Sequence, residues 1–180
     1  MLKILEKLLS RKVNADMLFL SELLTYKGES QILLVNYFDQ VTLDYSLHSL
    51  TFIDEYLLLI RQYFIETKFK KLNEEEHQHF IQDIVTISLR IGAYVGETIR
   101  ENDQKQQWYW IKSNKKRKLN PILLKVTQSD PKHSSAILTN GTLYEFPMNI
   151  VIDLITLPHK EKNTLSRYVD EVLNLTSHSI

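Results

Sequence analysis

Glu74–Asn102 reads EEEHQHFIQDIVTISLRIGAYVGETIREN, and the fold turns on how this stretch is read. It holds no proline and opens on three acids. Glu74, Glu75 and Glu76 put negative charge on a first turn, where the helix dipole favours it. Ile84, Ile87, Ile91, Val95 and Ile99 recur at spacings of three and four, which lines them up as one apolar stripe. The spacing predicts one long helix with a buried face.

Upstream, Leu47, Leu50, Ile53, Leu57, Ile60 and Phe64 repeat the same spacing. They predict a helix that starts from a cap at Asp44 or Ser46 and runs to about Phe69. The polar patch Lys70–Asn73 separates the two helices. Leu2–Ser10 and Ala15–Tyr26 read as two short helices, the second capped near Asn14 or Asp16. Gln31–Val41 contains Ile32-Leu33-Leu34-Val35, a run too short for periodicity to choose between strand and helical turn.

Downstream of Asp103 the pattern changes. Gln107–Lys112 (QWYWIK) alternates and is aromatic, as a strand would be. Leu123–Thr127 is a second candidate strand. Ala136–Thr139 and Thr142–Phe146 flank Asn140-Gly141, a hairpin signal that calls for positive φ at both turn positions. Pro147 suits the first turn of a helix over Met148–Thr156, and Leu165–Asn174 reads as a last helix. All four prolines lie in the last third, which divides a helical first part from a part with strands and turns. The expected fold class is α+β in one domain spanning residues 1–180. An N-terminal helical layer (about 1–103) packs on a small antiparallel sheet (about 104–146), followed by C-terminal helices (about 147–176).

At 180 residues with 43% apolar content, the chain can build one packed core without a metal or disulfide staple. It has no cysteine, which excludes a disulfide framework, a thiolate zinc site and a cysteine nucleophile. The N-terminal residues Met1–Arg11 are amphipathic rather than a signal-peptide core, and no apolar run approaches the roughly 18–20 residues of a membrane span. These features lead us to expect a cytoplasmic protein. Net charge is zero, yet Lys105–His133 holds eight lysines or arginines against Asp130 alone, a local +7 that leaves −7 elsewhere.

Gly92 and Gly96 sit four apart inside the best helix, with Ser88 four residues before them. A glycine there costs about 1 kcal/mol relative to alanine, so a stripe of small side chains asks for a reason. Two neighbours fit: the Leu47–Phe64 helix at short range, or a ligand or partner backbone in the groove. Arg90, Tyr94, Glu97 and Glu101 follow one another at spacings of four, three and four on another face. A Glu beside a Tyr and an Arg has the makings of a general base, and such a row also serves as a polar rim. Asp54 and Glu55 could join Glu97 if the two long helices bring them together.

Leu43-Asp44-Tyr45-Ser46-x-x-Ser49-Leu50, then Ile53-Asp54, then Ile91-Gly92-Ala93-Tyr94-x-Gly96-Glu97 and the aromatic strand at Trp108 together resemble a pattern of uncharacterised bacterial domain families of unknown function. The resemblance covers about Leu43 to Phe146 and implies a bacterial cytosolic domain with no assigned activity. The chain departs from that pattern in Asp103–Gln107, which lacks a glycine ahead of the tryptophan.

Two further groups bear on function. Lys112, Lys115, Lys116, Arg117 and Lys118 follow Trp108 and Trp110, and cations beside aromatics grip single-stranded nucleic acid by stacking and phosphate attraction. The same residues suit an acidic protein surface, or a charged hairpin tip that guards a sheet edge. His77 and His79 lie two apart on a helix and point in different directions, so no metal site is expected. No serine-elbow, phosphate-loop, zinc-helix or dinucleotide motif occurs, and no cofactor is expected. The expectation is a non-catalytic domain that binds another protein, of the toxin-neutralising immunity type. The alternatives are nucleic-acid binding through the basic aromatic segment and an enzyme centred on Glu97. A pocket at Glu97 would favour the enzyme; a packed Glu97 would remove it.

Overall fold

The computed structural model describes residues 2–29, 31–68, 72–112, 136–157 and 163–177. Helix α1, Leu2–Glu22, is one continuous helix followed by a 3-10 turn at Leu23–Thr25. The predicted break near Asn14 does not occur. Val13, Met17 and Ser21 fall four apart on one buried stripe, and packing of that stripe carries the helix through. Asn14 lies inside the helix, and its Oδ1 accepts the backbone N–H of Trp110 at 2.7 Å.

Gln31–Val41 is neither strand nor α-helix. The chain turns through Leu34 at φ 54 and enters a 3-10 helix, Val35–Gln40, that buries Val35 and Phe38. Helix α2 spans Ser49–Lys68. Ser46 Oγ accepts the Ser49 N–H at 3.1 Å, while Asp44 Oδ1 closes the preceding turn by accepting the Ser46 N–H at 3.0 Å. Leu50, Ile53, Leu57 and Ile60 are buried as the spacing predicts. Leu47 lies ahead of the first helical turn and is exposed.

Helix α3, Glu74–Asn102, matches its predicted bounds. It starts in a capping box: Asn73 Oδ1 accepts the Glu76 N–H, and Glu76 Oε2 accepts the Asn73 N–H, both at 2.9 Å. One apolar stripe understates this helix, because every residue from Arg90 to Ile99 is buried. Strands β1 (Tyr109–Lys112), β2 (Ala136–Thr139) and β3 (Tyr144–Glu145) form an antiparallel sheet in that order, with Trp110 opposite Leu138 and Leu138 opposite Glu145. Helices α4 (Pro147–Thr156, with Pro147 in its first turn) and α5 (Leu165–Ser177) follow. Helices α1, α4 and α5 all pack on α3, α1 also covers β1, and α2 lies against α4 and α5. The protein is thus α+β, with helices on both sides of the sheet in the sequence.

The hairpin forms with a different turn from the one expected. Only Gly141 takes positive φ, at 91. Asn140 instead uses its side chain, whose Oδ1 accepts the N–H groups of Thr142 and Leu143 at 3.0 and 2.8 Å. The candidate strand Leu123–Thr127 lies outside the described residues. Among the described residues, no helix is long and apolar enough to cross a membrane.

Candidate functional site

Two of the sequence motifs meet at one joint. Tyr94 of α3 stacks on Tyr45 at 4.7 Å between ring centroids. The Tyr94 hydroxyl accepts the Tyr45 N–H at 2.8 Å and shares a 2.7 Å hydrogen bond with Ser49 Oγ. Tyr45 has φ 60, a region a bulky side chain rarely occupies. It is held there from three sides: by Tyr94, by Asn102 Nδ2 donating to its carbonyl at 2.8 Å, and by Ser21 Oγ at 2.8 Å from its hydroxyl. Burial raises the Tyr94 phenol above its ordinary value of 10.0, so it stays protonated at neutral pH and serves as a fixed hydrogen-bonding post. Tyr94→Phe is expected to lower unfolding free energy by about 1–2 kcal/mol, since the part-buried Tyr45 N–H loses its acceptor and Ser49 loses one of its two partners. Urea denaturation checks the loss, and the Tyr45 amide should exchange faster with solvent.

The second cluster centres on Glu97, which is 3% exposed. Arg100 Nη1 donates to Glu97 Oε1 and Oε2 at 2.9 and 2.6 Å, and Trp110 Nε1 donates to Oε1 at 2.8 Å. Arg100 Nε also reaches the Trp108 carbonyl at 3.3 Å. Trp108 Nε1 in turn donates to Asp103 Oδ2 at 2.8 Å. Asp103 Oδ1 accepts the N–H groups of Lys105 and Gln106, both at 3.0 Å, and builds the turn that the missing glycine would have been expected to supply. Burial pushes the Asp103 carboxyl up, but the hydrogen bonds from Trp108, Thr176 and the turn backbone outweigh it and hold the group below 3.8.

The small-residue stripe serves this cluster. A Cβ at Gly96 would come within 2.0 Å of Trp110 Cζ2, and one at Gly92 would sit 2.7 Å from the Met148 Cα. The groove is therefore filled by β1 and by the first turn of α4, not by the Leu47–Phe64 helix and not by a ligand. Ser88 is fully buried and donates back to the Ile84 carbonyl at 2.7 Å.

The row Arg90, Tyr94, Glu97 does not act as a unit. Arg90 Nη1 reaches the Leu23 carbonyl at 2.8 Å, and burial lowers its guanidinium below the ordinary value without making it a base. Tyr94 bonds toward Tyr45 and Ser49, and Glu97 toward Trp110 and Arg100. Asp54 and Glu97 take separate partners: Asp54 caps α5, accepting the Leu165 N–H at 2.6 Å and the Ser166 hydroxyl at 2.6 Å. Glu55 accepts the Tyr37 hydroxyl at 2.8 Å. Trp108 and Trp110 are 4% and 0% exposed, so neither presents a ring for a partner or a base to stack on. Lys112 is exposed at the end of β1, and Lys115, Lys116, Arg117 and Lys118 lie outside the described residues. Sequence reading passed over Arg100, offered Asn14 only as a helix cap and took Asp103 only as the point where the pattern changes. Arg100 had a signal, since it stands three residues after Glu97, where helix side chains touch. Asp103 and Asn14 had none, because their partners come from the folded chain.

No family model matches the chain, no curated protein matches it, and no solved structure matches its fold. The two motifs nonetheless have a physical reason to occur together. Tyr45 and Ser49 come from one, Tyr94 and Gly96 from the other, and they fix α2, α3 and β1 against one another.

The surface is open elsewhere. Helix α2 exposes Leu58 by 60%, Leu59 by 43%, Tyr63 by 40% and Ile65 by 42%. Two clefts of about 140 and 260 Å³ adjoin α2 and α5 and share Leu154, Asn163 and Thr164 as walls. Neither is lined by Glu97 or Tyr94. Among the described residues, no three histidine, aspartate or glutamate side chains gather as metal ligands would.

Proposed function

We propose that this chain is a non-catalytic protein-interaction domain, of the kind that neutralises a toxin by covering it. The burial of Glu97 carries the reading. The carboxylate that the sequence offered as a general base is sealed from solvent and holds three short hydrogen bonds from its own fold. A general base must reach a substrate proton, and this one reaches only Arg100 and Trp110. Helix α2 also exposes Leu58, Leu59, Tyr63 and Ile65, which offer a partner apolar contact area. Nucleic-acid binding through the tryptophans loses its stacking element, because both rings are packed.

Affinity capture with the tagged protein from a bacterial lysate, at two salt concentrations, tests the reading. One stoichiometric protein that survives high salt, and whose toxicity the chain suppresses on co-expression, is the expected result. Nucleic acid that washes off as salt rises would overturn it. So would recovery of the chain alone.

A further inference from the structure

We draw no further inference here: the strongest candidate, the patch of apolar side chains that Leu58, Leu59, Tyr63 and Ile65 expose on helix α2 beside the cleft at Leu154, is broken by Glu55, Gln62 and Glu66, and nothing in the structure shows what covers it.

Discussion

Gly96→Ala is expected to lower the free energy of unfolding by about 3 kcal/mol. Helix propensity alone forecasts the opposite sign, a gain of about 1 kcal/mol for replacing a glycine in a helix interior. The packing term wins because the added methyl would stand 2.0 Å from Trp110 Cζ2, and that ring is held in place. Trp110 is fully buried, its indole N–H is bonded to Glu97, and its backbone N–H is bonded to Asn14. Urea denaturation measures the loss. Trp110→Phe removes the ring atoms nearest the missing Cβ, so the double variant should lose less than the sum of the singles, with a coupling of more than about 1 kcal/mol. A neutral or stabilising Gly96→Ala would mean that β1 does not sit on α3 as described.

Glu97→Ala should be comparably severe, about 3 kcal/mol. It leaves the Trp110 indole N–H without its acceptor in the core and the Arg100 guanidinium, 28% exposed, without its partner. Glu97→Gln keeps an acceptor for the indole but gives up the charge opposite Arg100, and about half of the loss is expected. An enzyme's general base would behave differently. Active-site carboxylates are commonly held at some cost to stability, so their neutral variants tend to leave the fold intact or firmer. Equal stability of the parent and Glu97→Gln would therefore count against Glu97 as a packing residue.

The long helix α3 was legible because its signals are local: acids at the first turn, isoleucines at helical spacing and a change of pattern after Asp103. Pro147 and the hairpin at Asn140-Gly141 were legible for the same reason, although Asn140 makes its turn through its side chain rather than through a positive φ. The errors fall where a distant segment decides. Nothing near Asn14 says that Trp110, 96 residues on, will take its side chain and let α1 continue. The glycines announced a close neighbour but not which one, and an aromatic strand together with a helix start took the place expected of α2. The spacing of Arg90, Tyr94 and Glu97 was real, yet each side chain turns to a different element, so proximity along a helix did not become a shared site. The two tryptophans were read as a binding surface because alternation cannot tell which face of a strand is covered. Helix α3 meets this one, at Gly96 and Glu97.

The central claim is that Glu97 and the two tryptophans form a closed structural cluster rather than a reactive site. Hydrogen–deuterium exchange of the two indole N–H protons tests it most directly. Trp110 donates to Glu97 and Trp108 to Asp103, both at 2.8 Å and both buried, so both indole protons should exchange only when the whole domain unfolds. Rapid exchange of the Trp110 indole proton in the folded protein would place water beside Glu97 and contradict the account.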